Sequence, residues 1–196
     1  MSLPHWEYFL SIEKDLLKCT NYVDFTEDNY NTYSIEFAKI IMTSGAEIDV
    51  IMKLLCKSIN PSLSPRNITE YYNIIHSKYP KFNDFEIELP KYHLSFKPWE
   101  NWTNTNSPAW WKDSFNKIKH ERDIHFSQAN LNNTLQITSG LLCLILYYYK
   151  ETQTDIMIDA FNIPHILSPR KYPINEENSF QEASISVVYT VPDYDI

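Results

Sequence analysis

The chain has 196 residues, of which 43% are hydrophobic and 15% aromatic, and it has a formal net charge of −8. This length and aromatic content favour one densely packed domain and exclude a disordered chain. The acidic balance excludes general attraction to nucleic acid, so binding RNA or DNA would require a local positive patch.

Glycine is scarce, with Gly45 and Gly140 as its two occurrences. Tight hairpins and phosphate-cradling loops depend on glycine, so this scarcity disfavours an all-β fold and a nucleotide-binding loop. The longest apolar run covers 141–149, well short of the ~20 residues that span a bilayer. The first residues show no targeting pattern, and we therefore expect a cytoplasmic protein without membrane contact.

The cysteines and histidines do not form a metal-binding pattern. Cys19, Cys56 and Cys143 are far apart in the sequence, and we expect them to be buried free thiols. His120 and His125 lack the additional neighbouring ligands that zinc requires. We expect neither a metal nor a cofactor.

Apolar periodicity predicts four long helices, which we number first to fourth, over 4–20, 34–58, 108–125 and 128–150, and a further short helix over 67–78. "FEIELPKYHLSF" alternates apolar and polar residues, and it predicts a small ribbon or extended arms within an insertion at about 82–98. "ASISVVYTV" fits one further strand near the C-terminus. Prolines interrupt the chain after about 160, so we expect a helical bundle over 1–158 and an irregular appendage, 159–196, packed on it.

The second predicted helix places Glu47 on its apolar stripe. Ile40, Ser44, Ile51 and Leu54 flank it at helical spacings. A buried carboxylate needs a partner, and we expect Lys119 or Arg122. That pairing has two interpretations. It could simply hold the second and third predicted helices together, or it could also position basic groups in a cleft. Gly45, in the same helix, should let a neighbouring helix approach closely.

The third predicted helix contains a cluster of chemically useful side chains. Helical spacing predicts one face with Asp113, Asn116, His120 and Asp123, and another with Trp111, Phe115, Ile118 and Arg122, with Lys119 at its edge. A histidine with polar neighbours one turn away can act as a general acid or base. Lys119 and Arg122 could stabilise a phosphorane-like transition state without metal. The same spacing is also typical of an ordinary solvated helix face, and both interpretations stay open.

Three stretches carry a family resemblance: "YSIEFAKIIMTSGAEIDVIMKLLC" (33–56), "PWENW" and "SPAWWKDSFNKIKHERDIHFSQANLNNTLQITSGLLCLILYYY". Over about 30–150 the chain resembles uncharacterised bacterial proteins similar to the HEPN (higher eukaryotes and prokaryotes nucleotide-binding) superfamily. The resemblance implies an all-α bundle of four or five helices, often dimeric through the helices that carry the site. The superfamily includes metal-independent ribonucleases of toxin–antitoxin, CRISPR-associated and phage-abortive systems, and also non-catalytic members.

The usual catalytic signature of that superfamily is an arginine followed four to six residues later by a histidine. His120 and Arg122 are the nearest matches here, in the reverse order. The resemblance implies an RNA-directed homodimer, a metal-independent endoribonuclease of prokaryotic defence whose partner is an antitoxin or a defence protein. In it, His120 is acid or base, Arg122 and Lys119 bind phosphate, and Asn116 and Glu47 orient them. The alternative is a non-catalytic helical dimer that binds a partner protein or a nucleotide.

Overall fold

The computed structural model describes residues 3–152, 157–158, 164–169 and 187–188. Its α-helices are α1 (Pro4–Cys19), α2 (Ile35–Ile59), α3 (Ile68–Lys78), α4 (Asn116–His125) and α5 (Leu131–Glu151), with a π-helix over Trp110–Phe115 directly before α4. Short 3₁₀ turns cover Glu27–Asn29, Phe82–Asp84, Pro90–Tyr92 and Phe126–Gln128. The prediction of a mainly helical chain is confirmed. The predicted helix ends fall within three residues of those in the structure, if the π-helix counts as the start of the third predicted helix.

The two longest helices, α2 and α5, begin side by side. Tyr33 and Asn130 form an antiparallel bridge. Ser34 caps α2 by accepting a hydrogen bond from the N–H of Phe37, and Asn130 caps α5 by accepting one from the N–H of Asn133. From this common start, α2 and α5 make the most extensive packing between elements in the described structure.

The core surrounds α5, whose residues 137–147 are all buried, as expected for an apolar helix enclosed on most sides. All five tryptophans are also buried, at 8% exposure or less: Trp6, Trp99, Trp102, Trp110 and Trp111. The indole nitrogen of Trp99 donates to the carbonyl of Gly140 on α5, 3.2 Å away. Trp99 thus holds the loop before the π-helix against the central helix.

A small antiparallel sheet contains both arms of the predicted insertion and one strand from later in the chain. β1 (Ile87–Leu89) pairs with β2 (Leu94–Phe96), with Ile87 opposite Phe96. β4 (Ser168–Pro169) adds to the other edge of β1, giving the order β2-β1-β4. The ribbon predicted within 82–98 is confirmed. Near the C-terminus, β5 (Val187–Val188) pairs with β3 (Met157–Ile158), so part of "ASISVVYTV" is a strand.

A buried carboxylate attaches the segment 164–169 to α1. Glu13 is 0% exposed, and its two oxygens accept the backbone N–H groups of His165, Ile166 and Leu167 at 2.7, 2.9 and 2.9 Å. Burial raises the pKa of Glu13, although these three donors act in the opposite direction. Most of the predicted appendage, 159–196, lies outside the described residues, so its packing as a whole stays a prediction.

The cysteines are as predicted, since Cys19, Cys56 and Cys143 are free and buried. Burial raises the pKa of the Cys56 thiol to about 12 and raises that of Cys143 well above its ordinary value. No helix within the described ranges is long and apolar enough to cross a membrane.

Candidate functional site

The third predicted helix starts as a π-helix, not as an α-helix. The backbone N–H of Asn116 donates to the carbonyl of Trp111, five residues earlier, which is the π pattern. The longer turn shifts every residue before Asn116 relative to those after it. The predicted alignment of Asp113 with Asn116 and His120 is therefore wrong, and Asp113 instead forms an ion pair with Lys117 at 3.0 Å.

Both glycines of the chain make room for aromatic residues of the π-helix. A Cβ at Gly45 would lie 2.2 Å from Cδ2 of Phe115, so α2 and the π-helix can touch only because this position has no side chain. A Cβ at Gly140 would lie 3.1 Å from Cζ2 of Trp110. The Trp110 indole nitrogen also donates to the carbonyl of Pro98 at 2.6 Å. The close approach expected at Gly45 is confirmed.

A kink divides α4 between His120 and Arg122. Glu121 has φ −143° and ψ 49°, outside the helical region. Before the kink, Phe115 and Ile118 face the core at 4% and 3% exposure, as predicted. After it, Arg122 is exposed, so it does not share the buried face of Phe115 and Ile118 that its helical spacing predicted, because the kink rotates the last turn of α4 relative to the first.

A surface groove lies beside this kink, between α2 and α4. It consists of two adjoining depressions of about 720 and 510 Å³ that share Met42, Arg122 and Phe126. The larger depression also contains Ile118, Lys119, His120 and Asp123, and the smaller contains Ile35, Ala38, Lys39 and Thr43. We call these eleven residues the α2–α4 groove. The structure thus brings together three of the predicted site residues, Lys119, His120 and Arg122.

The cations of the groove are available to a ligand. Lys119, His120 and Arg122 are exposed, and no carboxylate of the described residues forms an ion pair with any of them. The Lys119 ammonium lies 5.6 Å from the ring centroid of Phe115, a cation–π distance that leaves its donors open. Lys39, by contrast, is paired with Glu36 at 2.7 Å.

Glu47 is half-buried, where a buried position was predicted, and its partner differs from the predicted one. Its side chain is 12% exposed and accepts a 2.6 Å hydrogen bond from Nδ1 of His5 on α1. The His5 ring also meets the ring of Tyr148 edge-on at 5.5 Å. The expected pairing with Lys119 or Arg122 is therefore wrong. Glu47 connects α2 to α1 and does not line the α2–α4 groove.

Asn116 lies one turn before His120, but it is half-buried and does not line the groove either. Sequence reasoning missed Met42 and Phe126, which supply apolar surface to the α2–α4 groove. A signal for α2 was present, because Ile35, Ala38 and Met42 are spaced by three and four residues and form a second apolar stripe on that helix. Phe126 follows the kink, and helical spacing could not place it.

The arrangement can bind an anion beside an apolar surface. Arginine and lysine donate to phosphate oxygens, and an imidazole between them can transfer a proton near neutral pH. His120 has no hydrogen bond to any residue in the described part of the chain, so nothing there fixes its tautomer. Within the same residues there is no group of three or more histidine, cysteine or acidic side chains that could hold a metal ion.

We compared the chain with protein-family models, curated proteins and solved structures, and none of these comparisons found a match. The function of this chain is therefore inferred from the geometry of the α2–α4 groove. The resemblance to the HEPN superfamily stays a prediction.

Proposed function

We propose that this protein is a HEPN-like, RNA-directed protein that binds the phosphodiester backbone in the α2–α4 groove and cleaves it without a metal ion. One observation carries the proposal: Lys119, His120 and Arg122 meet in a single exposed groove and lack an acidic partner among the described residues. On a chain with net charge −8, unpaired cations at one place form the local patch that binding a polyanion requires.

The proposed chemistry is transesterification within the RNA strand. A base removes the proton of a 2′-hydroxyl, whose oxygen attacks the adjacent phosphorus, and the bond to the 5′ oxygen of the next nucleotide breaks as that oxygen takes up a proton. His120 is the proton-transferring group, and Arg122 and Lys119 stabilise the charge on the phosphorus oxygens. Glu47 has no part, because His5 holds its carboxylate. Asn116 does not contact His120, so the bound RNA must orient the imidazole.

The helical fold supports the same proposal. The residues that carry the resemblance, about 30–150, form α2 to α5 with the π-helix and the ribbon. We propose that they form a HEPN-like bundle in a protein of prokaryotic defence or toxin–antitoxin systems, with an antitoxin or defence protein as partner. A nucleotidyltransferase-type antitoxin or defence genes beside its gene would support this assignment.

The test is cleavage of total RNA in the presence of EDTA by the wild type, His120→Ala and Arg122→Ala. Lys14→Ala is a matched control, since Lys14 is exposed on α1 and lies outside the groove. We expect cleavage by the wild type and by the control, and a loss of about 10²-fold or more for His120→Ala, typical of a general acid or base. Equal activity in all four proteins would contradict the catalytic assignment.

A second function is favoured by a different observation. Ile35 in the groove is 65% exposed and Ile124, outside its lining, is 69% exposed, and exposed apolar residues around a cleft mark protein–protein contacts. Under this alternative the chain is a non-catalytic homodimer that binds a partner protein or a nucleotide. Sedimentation of the wild type and Ile124→Asp tests it. A dimer that Ile124→Asp dissociates, together with no RNA cleavage, would favour this function over the first.

A further inference from the structure

A smaller pocket lies outside the α2–α4 groove, between the first turns of α5, the start of the π-helix and the end of β2. It encloses about 240 Å³. Its buried side chains include Phe96 and Trp110, at 5% and 3% exposure. Carboxamide side chains from α5 complete its lining, among them Asn132 and Gln136. The pocket therefore combines an apolar floor with groups that both donate and accept hydrogen bonds.

Two of these carboxamides have no side-chain partner among the described residues. Asn132 and Gln136 are four residues apart on α5, hence on the same side of it, and both are half-buried. Neither side chain forms a hydrogen bond with another residue of the described ranges. Asn133, between them, is different, since its amide nitrogen donates to the carbonyl of Gln128 at 2.9 Å. Asn132 and Gln136 are thus available to a ligand.

The charge of the pocket points to a neutral ligand. Of its lining residues only Lys97 and Glu100 are ionisable, and their charges cancel. This contrasts with the α2–α4 groove, where Lys119 and Arg122 have no acidic partner within the described part of the chain. The volume is also below the roughly 300–1,000 Å³ of pockets for drug-sized molecules. The pocket therefore suits a single uncharged ring system better than a phosphate or a whole nucleotide.

We propose that this pocket binds one adenine base. A flat heteroaromatic ring can pack on the apolar floor while Asn132 and Gln136 bond its edge. A carboxamide presents a donor beside an acceptor, which matches N6–H and N7 of adenine, whereas guanine presents two acceptors on the corresponding edge. In naming RNA as the source of the base, the inference rests on the proposed function. The recognition of adenine itself does not.

Titration with adenosine, which has no phosphate, tests the pocket separately from the groove. We expect the side-chain NH₂ resonances of Asn132 and Gln136 to shift in NMR spectra. Asn132→Ala and Gln136→Ala should each weaken adenosine binding about fivefold or more, the loss of one bidentate contact. The matched control is Asn73→Ala, which replaces an exposed helical asparagine on α3 and should bind like the wild type.

Several outcomes would overturn the assignment of adenine. These are no shift with millimolar adenosine, equal affinity for guanosine, or equal affinity for ribose alone, which would make the pocket a sugar site. Thermal unfolding of each variant separates a lost contact from a lost fold. Because neither carboxamide is hydrogen-bonded within the described structure, we expect both alanine variants to keep their folded state.

A second arm identifies the source of the base. Oligoadenylate should bind more tightly than oligoguanylate to the wild type, and Asn132→Ala should remove this preference. If adenosine binds and oligoadenylate does not, RNA as the source is overturned. If Arg122→Ala leaves oligoadenylate affinity unchanged while Asn132→Ala lowers it, the groove proposal fails and the adenine pocket stands.

Discussion

Replacing Gly45 with alanine tests the packing of the π-helix against α2. Alanine in place of a helical glycine normally stabilises a helix by about 0.5–1 kcal/mol. Here the added methyl would lie 2.2 Å from Cδ2 of Phe115, a distance at which atoms must move. Phe115 is 4% exposed and has little room, so we expect an overpacking cost of about 1–3 kcal/mol. The overpacking cost exceeds the gain in helix propensity, so Gly45→Ala should lower the free energy of unfolding by about 1–2 kcal/mol.

Gly140→Ala is the matched comparison. Its Cβ would lie 3.1 Å from Trp110 and at least 3.4 Å from the other nearest atoms, so a small shift of the ring relieves the contact. The gain in helix propensity and the packing cost should then nearly cancel. Urea denaturation followed by circular dichroism gives the free energy of unfolding of both variants. In thermal unfolding, each kcal/mol should appear as about 2–4 °C in the melting temperature of a chain this size.

A double-mutant cycle decides whether Phe115 is the cause. Phe115→Ala alone should cost about 3–5 kcal/mol, as for other buried phenylalanines. In that background the clash is absent, so adding Gly45→Ala should be neutral or stabilising. The reasoning would be refuted if Gly45→Ala alone were as stable as the wild type, or if its penalty were the same with and without the phenyl ring.

Three further predictions follow from other features. Glu13→Ala should leave three backbone N–H groups of 165–167 without their acceptor, at a cost of about 3 kcal/mol or more, and should speed hydrogen exchange of those amides. Because burial raises the Glu13 pKa, the folded state keeps this proton to higher pH than the unfolded state. The contribution of Glu13 to stability therefore falls as the pH rises above the ordinary value of 4.5, and urea titrations across pH should show this slope in the wild type and not in Glu13→Ala. Cys56 and Cys143 should resist alkylation at pH 8 in the folded protein and react in urea, since burial keeps both as thiols; rapid labelling without urea would contradict their burial. Arg122→Ala should reduce the slope of log affinity for single-stranded RNA against log salt by about 0.7, the value for one lost phosphate contact, and an unchanged slope would remove Arg122 from the proposed interface.

The helices could be predicted from the sequence because their signals are local. The stripe of α2 and the serine before it are enough to place that helix and its cap, and the apolar residues Phe115 and Ile118 face the core as their spacing indicates. The close approach of a neighbouring helix at Gly45 could likewise be predicted. Residue spacing does not predict which side chain contacts Gly45, and the structure shows that it is the ring of Phe115.

The groove could be predicted only in part, because two departures from the α-helix decide its shape. The π turn at Trp111 and the non-helical Glu121 each change which residues share a face, and neither has a plain sequence signal. The partner of Glu47 was missed for another reason. His5 lies 42 positions away on a helix whose packing the sequence does not specify, so the need for a partner was predictable and its identity was not.

Glu13 had the same signal as Glu47 and was missed. Phe9 and Leu16 flank it at minus four and plus three, spacings that place its carboxylate on the buried stripe of α1. Its partners are backbone N–H groups of a distant segment, and no pattern of side chains in the sequence predicts such partners. An acidic residue inside an apolar stripe is thus a useful indicator of a buried contact, whatever supplies the partner.

The common start of α2 and α5 has a consequence for the newly made protein. The bridge from Tyr33 to Asn130 and the packing of the two helices join parts of the chain that leave the ribosome at different times. Between the end of α2 at Ile59 and the start of α5 at Leu131, synthesis at 5–20 residues per second takes roughly 4–14 s. During that interval the nascent chain must keep one apolar side of α2 uncovered. Slower translation after Ile59 should therefore prolong its exposure to aggregation and its need for chaperones.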